Sequence, residues 1–438
     1  MIPRNSEIQV MTPTKKHTAY SLVISWILLG PLVYFASNGS LWFQSEDANN
    51  VLSSRYGALA TQSQGAQAQA LSILVLGTAL CFCLAAGKTI SRMFCNNVGF
   101  SGLVGLTVLS SVWSQFPARS IHCAVVLAVN TAFVFYLHQH FNQEQKLQLI
   151  YMAGWASLLF SIYLSLFVPS CGIDRAFVTP SWRGMYGQKN LCAMATLFLL
   201  SVAFYLPVRS LMAKAAHAAY IVLSIVLIMM TRSLTSEVIL VSMILYVIAT
   251  RTIQRFNAKD RIVGMILVAC MLLAIAGAGV SYWPQLTYLC GRDPTLTGRS
   301  GIWQAAWASL MKHPIRGYGY RAFWSGYQGE SANVAFESGW AVSSAHNAFL
   351  QVWLDLGFLG LAGVVYVLLR SVSNSISYLR RESSAYRGWC ACIIFLTVAL
   401  SLDEGEMMIP NGLLWMLFVL ASIGIGETVA TRDLPRFN

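Results

Sequence analysis

The sequence predicts an all-α polytopic membrane protein with about twelve transmembrane helices. Composition is the first reason. Of 438 residues, 56% are hydrophobic and 11% charged, where a soluble domain carries roughly a quarter charged residues. Continuity is the second. The apolar residues fall in long unbroken runs of the length that spans a bilayer as a helix. A lipid-embedded β-barrel would instead show short alternating strands.

In chain order the runs cover about 19–36, 69–86, 98–113, 118–137, 148–168, 190–206, 217–231, 235–250, 262–281, 347–369, 387–402 and 411–428. The first lacks a clean small-residue cleavage site, so it reads as a retained helix rather than a signal peptide. Residues 37–68 form a polar joint with a Gln/Ala/Ser-rich stretch from Thr61 to Ala70. Residues 281–346 form the longest polar gap. The chain 1–438 reads as a single membrane domain without internal repeats. Its halves differ, because only the second holds a long loop.

Basic residues set the orientation. With the N-terminus inside, 18 of the 29 Lys and Arg fall in inside joints and 11 outside. Five of those 11 lie in the long loop, and long loops count little in this rule. Both termini are therefore expected inside, with the 281–346 loop and the cluster Asp403-Glu404-Gly405-Glu406 outside. The net charge of +12 is spread over many short joints and forms no single basic face, which excludes a nucleic-acid partner. Cys81, Cys83, Cys390 and Cys392 lie inside apolar runs and read as small hydrophobes. Cys171 and Cys290 both map outside, where an oxidising compartment would permit a disulfide.

The long loop has its own grammar. Asp293-Pro294 opens a turn, and Arg299 to Lys312 is helix-compatible. Arg299, Trp303 and Trp307 recur at i, i+4 and i+8 on one face of that helix. Pro314 stops it, and Gly317-Tyr318-Gly319-Tyr320 supplies turn residues. Residues 325–343, rich in Gly, Ser and Asn, read as a mobile segment, with Ser343 or Ser344 capping the next helix.

The outside joints collect cations. Arg183 and Lys189 lie just before the sixth run, Arg232 ends the seventh, and Arg299, Arg316 and Arg321 sit in the long loop. Guanidinium groups hold diphosphates through paired, charge-assisted hydrogen bonds. Lipid headgroup anchoring would also use any one of them. Arg183 and Arg299, set among Gly and Trp, point instead to a pocket. His346 stands at a loop–membrane boundary beside Asn347. A neutral imidazole there can take a proton from a hydroxyl near neutral pH, although a lone histidine also caps or packs. Trp303 and Trp324 belong to a loop rich in Trp, suited to stacking on sugars or to the bilayer interface. Asp403, Glu404 and Glu406 suit either a cation or the orientation of the histidine and arginines. No paired-carboxylate metal site stands out.

Four blocks together resemble a known family. They are Trp182-Arg183-Gly184 with Lys189-Asn190; Thr297-Gly298-Arg299-Ser300-Gly301-Ile302-Trp303; His313-Pro314-Ile315-Arg316-Gly317-Tyr318-Gly319-Tyr320-Arg321-Ala322-Phe323-Trp324; and Ala345-His346-Asn347-Ala348-Phe349-Leu350, followed by Leu356-Gly357-Phe358-Leu359-Gly360. Over about 180–420 the chain resembles the O-antigen ligase and Wzy-type polymerase superfamily, most of all exopolysaccharide polymerases of the ExoQ type. It departs at Gln188, where that group usually has histidine. It departs again at Thr231-Arg232-Ser233-Leu234-Thr235-Ser236, where the basic residue stands two positions before its usual place.

The resemblance implies a GT-C-like glycosyltransferase of the bacterial inner membrane. Its active face would be periplasmic and its donor an undecaprenyl-pyrophosphate-linked oligosaccharide. His346 would activate the acceptor hydroxyl, and Arg299, Arg183 and Arg232, with Lys189, Arg316 and Arg321, would bind the pyrophosphate. Trp303, Trp324, Asn347, Glu404 and Glu406 would contact sugar or support the site. No cofactor is implied, and a chain-length regulator and export proteins are the expected partners. The polymerase reading stands beside a ligase moving a finished glycan and a lipid-linked sugar flippase. A flippase should line its path with charges inside helices, where Glu237 is the clearest case in the sequence.

Overall fold

The structure is a computed structural model that describes residues 30–33, 66–175, 179–257, 260–264, 299–339, 342–381, 384–402 and 407–426. It is a helical bundle. Five described helices are long and apolar enough to cross a membrane: α4 (Pro117–His140), α5 (Gln143–Phe167), α8 (Leu211–Thr231), α9 (Leu234–Ile253) and α12, which begins at Ala348. A bent pair, α1 (Ala66–Ala85) and α2 (Gly87–Asn96), is a sixth candidate. Shorter apolar helices are α3 (Val98–Leu109), α7 (Lys189–Ser201), α13 (Ala385–Ser401) and α14 (Leu413–Gly426). Apart from α2, these helices fall on ten of the expected runs. Expected run 262–281, and 19–36 apart from residues 30–33, lie almost wholly outside the described residues.

Local chemistry sets several helix ends. Asn142 and Gln145 form a reciprocal capping box at the start of α5, with bonds of 2.8 and 2.9 Å. Ser210 caps α8 through the Ala213 N–H. Pro117 starts α4, where its missing N–H costs nothing. The second expected run is α1, and a helix that the expected runs do not include, α2, follows it. The chain turns by 88° after α1, and α2 buries Ile90 and Met93 while its Lys88 and Arg92 stay exposed. One apolar face under one basic face suits a helix lying flat at an interface.

α14 is apolar all round and buried from Leu413 to Ile425, as a helix in the centre of a bundle should be. Trp415 and Phe418 pack edge-on against Phe100 of α3, and Trp415 donates to Thr131 of α4.

α12 (Ala348–Arg381) is broken at Gly357, where φ is 69° and ψ −169°. The break frees backbone groups that a regular helix would satisfy, and the long loop satisfies them. The Tyr318 and Gly319 N–H groups donate to the carbonyls of Leu354 and Asp355, both at 2.9 Å. The Phe358 N–H donates to the Pro314 carbonyl, also at 2.9 Å. Glycine is required on both sides of this junction. A Cβ on Gly357 would lie 2.0 Å from the Ile315 oxygen, and one on Gly317 would lie 2.6 Å from the Leu354 oxygen.

The described part of the loop therefore forms a small folded unit. It contains α10 (Arg299–Leu310) and α11 (Ser331–Ser338) around its own core of Ile302, Ala306, Leu310, Tyr318, Phe323 and Val334. Two expectations are corrected here. Residues 325–343, read as a mobile stretch, contain α11, and Ser331 ties its start down with three hydrogen bonds. The cap of α12 is Asn347, whose Oδ1 accepts from the Leu350 N–H at 3.0 Å; Ser343 and Ser344 lie upstream of it.

Candidate functional site

Contacts along the bundle fix which helix ends lie together. Trp389 near the start of α13 donates to Ser201 at the end of α7, at 3.1 Å. α13 runs back from the far end of α12, so the start of α7 lies where α12 begins. Asn347 Nδ2 reaches the Leu402 carbonyl just past α13, at 3.2 Å, which agrees. His217 near the start of α8 meets the Ala203 carbonyl just past α7, at 2.8 Å. α8 therefore returns to the same end, and it packs against the short strand Ser181–Trp182 beside Arg183.

One end of the bundle thus holds two groups of predicted residues. Around the start of α7 are Arg183, Lys189 and Arg232. Around the start of α12 are His346, Asn347 and the docked loop with Trp303, Trp324, Arg316 and Arg321. The helix carrying Arg299 belongs to that loop unit. Glu404 and Glu406 lie outside the described residues, as does Cys290; Cys171 is buried and free.

Backbone strain marks the same end. Among the described residues three non-glycine residues have positive φ: Arg232 at 52°, Arg321 at 57° and His346 at 48°. All three are residues the sequence put forward as candidates. Left-handed backbone is unfavourable for residues with a Cβ and gathers at functional sites. Arg232 ends α8 in this conformation, where glycine is usual.

The two groups hold their cations differently. Arg183 is buried, and its guanidinium donates to the carbonyls of Cys171 at 2.8 Å and Ser170 at 3.3 Å. Those bonds close the turn after a short helix, Pro169–Gly172. Arg316 is exposed, and its carbonyl accepts from Trp113 Nε1 at 2.9 Å. Arg321 is half-buried and faces Asp355 in a small cavity also lined by Tyr320, Gln351, Val352, Leu356 and Met408. Trp303 Nε1 donates to the Ala345 carbonyl at 2.7 Å, immediately before His346. Trp324 is buried and donates to Gln351 Oε1 at 2.6 Å.

Glu330 anchors the loop unit. Burial pushes its carboxyl up, but hydrogen bonds from Lys312, Ser309 and Asn333 outweigh this and hold it below the usual carboxylate range. Burial and the nearby Glu330 charge raise the Tyr318 phenol, whose hydroxyl donates to the Ser309 carbonyl at 2.6 Å.

Sequence reasoning missed the floor of the site. The joint between α3 and α4 together with the first turn of α4, residues 110–120, binds the loop at many points. Ser110 Oγ accepts from the Tyr320 N–H, and Ser120 Oγ donates to the Tyr320 carbonyl. Gln115 donates to the Ala322 carbonyl at 2.7 Å, and Arg119 donates to the Trp324 carbonyl at 3.1 Å. The signal was present as Ser110-Ser111-Val112-Trp113-Ser114-Gln115, a dense polar cluster in a joint too short to be mere linker. Asp355 was missed too. It is the charge buried within an apolar run, at 3% exposure. Glu237, singled out from sequence, sits half-buried in the first turn of α9.

Similarity to known proteins fits this arrangement. Residues 219–365 match the family model described as O-antigen ligase. The chain resembles the O-antigen ligase family. The matched segment runs from α8 through the loop unit and across the Gly357 break, so it holds Arg232, Arg299, Arg316, Arg321 and His346. The chain is also 24% identical over 311 residues to the exopolysaccharide production protein ExoQ of Rhizobium meliloti (strain 1021), covering 66% of this chain and 68% of that protein. These similarities agree with the resemblance read from the sequence blocks. They also agree with a multi-pass membrane protein of the ligase and polymerase class.

Proposed function

We propose that this chain is a polysaccharide polymerase. It joins undecaprenyl-pyrophosphate-linked oligosaccharide repeat units on the periplasmic face of the bacterial inner membrane, during exopolysaccharide biosynthesis. The observation that carries this is His346, held in left-handed backbone at the start of α12, at the end of the bundle that also gathers Arg183, Lys189 and Arg232. The similarity to ExoQ supports the polymer-forming reading, and the basic-residue split supports both termini in the cytoplasm.

The chemistry follows from those groups. The His346 imidazole takes the proton of the acceptor hydroxyl as its oxygen forms a bond to the donor's anomeric carbon. The bond from that carbon to the pyrophosphate breaks on the opposite side, so the configuration inverts. The lipid pyrophosphate leaves as an anion, which Arg299, Arg183, Arg232, Lys189 and Arg316 stabilise. The carbonyl bonds of Arg183 fix its guanidinium plane in advance, as oriented recognition of a diphosphate requires. Arg321, which lines one small cavity with Asp355, is assigned to holding the loop. Trp303, half-buried and bonded to the scaffold, lines the path of the sugars, and the buried Trp324 supports the site from the loop core. A chain-length regulator and export proteins are the partners such a product needs.

The family description favours a second reading, a ligase that moves a finished lipid-linked glycan to another acceptor. Deleting the gene separates the two. Accumulation of single lipid-linked repeat units identifies a polymerase, and accumulation of full-length lipid-linked chains identifies a ligase. Returning His346→Ala at wild-type membrane levels should leave polymer formation at least 100-fold down. Normal polymer from that variant would rule out the general-base assignment.

A further inference from the structure

We propose that Gln351 and Asp355 are positioning residues for His346, acting through the residue before it; this rests on the assignment of His346 above. The two stand one turn apart on the buried face of α12, both at 3% exposure. Gln351 Oε1 accepts two hydrogen bonds, from Trp324 Nε1 at 2.6 Å and from the Ala345 N–H at 3.2 Å. Its Nε2 donates to Asp355 Oδ2 at 3.0 Å. An amide oxygen only accepts and its nitrogen only donates. Flipping Gln351 would set its NH2 against two donors and its oxygen against a carboxylate. The side chain is therefore locked in one orientation, with Asp355 as the lock.

The lock holds the one peptide that most needs holding. Ala345 is completely buried and pinned on both sides: its N–H by Gln351 and its carbonyl by Trp303 Nε1 at 2.7 Å. The next residue is His346, at φ 48°. A residue in that conformation persists only where its surroundings over-determine it. On the far side Asn347 is held by the Leu402 carbonyl. Gln351 also joins Trp324 of the loop core to the same peptide, so one side chain ties the residue before the histidine to the docked loop. Beyond Asp355 stand Arg321 and Arg119, whose charges act on its carboxylate.

Relaxing the relay should lower turnover more than binding. Lipid-linked repeat units extracted from the deletion strain serve as the probe, with purified full-length protein in lipid nanodiscs. Gln351→Leu keeps the shape, removes the acceptor and the donor, and is expected to cut kcat about 10- to 100-fold. KM for the lipid-linked unit should stay within about twofold. Asp355→Asn keeps an oxygen for Gln351 Nε2 and removes the charge facing Arg321. It should lower kcat by a smaller step than Gln351→Leu, about three- to 10-fold, with KM within about twofold and a lower thermal midpoint. A Gln351→Leu enzyme with wild-type kcat would overturn the proposal. So would a KM rise matching its kcat loss, or an Asp355→Asn enzyme with wild-type kcat. Activity retained by His346→Ala would instead sink the general-base reading beneath it. Gln351→Met, with similar bulk and no hydrogen-bonding amide, provides the same comparison if the leucine variant does not fold.

Discussion

The two ends of the bundle use basic residues in opposite ways. At the end opposite the candidate site, cations close helices. Arg387 donates to the Ile425 carbonyl at the end of α14, at 2.8 Å. Arg251 donates to the Phe204 carbonyl, and Arg261 donates to the carbonyls of Phe256 and Gln254. Those groups satisfy C-terminal carbonyls and the negative end of the helix dipole. At the candidate end, two of the arginines occupy left-handed backbone, as His346 does. Arg183 is the exception, capping carbonyls at the candidate end. A cation at a helix end is thus not in itself a binding group. What distinguishes the candidate face is cations gathered with strained backbone around a docked loop.

Substitution can break this comparison most directly through the arginines. Arg299→Ala should cut polymer formation about 10- to 100-fold, the loss expected for a charge-assisted bond to a diphosphate. Arg387→Ala at the other end should leave activity within about threefold while lowering the thermal midpoint. Equal activity losses from the two, measured at matched membrane levels, would erase the distinction between the ends.

The loop junction gives the next effect. Gly357→Ala places a Cβ against the Ile315 oxygen at a positive φ, and should cost about 1–3 kcal/mol or more. It should appear as a lower thermal midpoint and faster amide exchange across 314–320. A silent Gly357→Ala would mean that the loop does not depend on the helix break.

The smallest effect concerns acid. The Glu330 carboxyl is held below its unfolded value of 4.5, so its contribution is present above that pH. It is lost as pH falls through the lower folded value. Protection of amides 309–331 should therefore weaken in acid and be flat with pH in Glu330→Gln. The size is below about 1 kcal/mol, because its Lys312 partner is half-exposed.

Much of this was legible in one dimension. Ten apolar runs became helices because hydropathy acts along a contiguous segment and the backbone must satisfy itself within it. His346 and Arg232 stood out in the sequence as polar residues at the ends of apolar runs, and Arg321 as a cation of the long loop. The α1–α2 bend was not legible: the run 69–86 ends where the chain turns, and α2 is too short and too polar to register in a hydropathy window. The mobile reading of 325–343 failed for a similar reason. Its Gly and Ser residues make turns that Ser331 and Gln115 lock from a distance.

The sequence by itself determined the helical membrane class and put forward an orientation and candidate residues for chemistry, because each depends on residue type and nearest neighbours. Only the tertiary structure decided how they are held. The loop docks on a broken helix because Gly357 and Gly317 let two backbones touch. Gln351 and Asp355 became visible only when Ala345 and Trp324 were placed against them. The floor at 110–120 pairs with residues some 200 positions away, as in Ser120 to Tyr320. Such pairings depend on close approach of distant segments, and that is settled when the bundle packs.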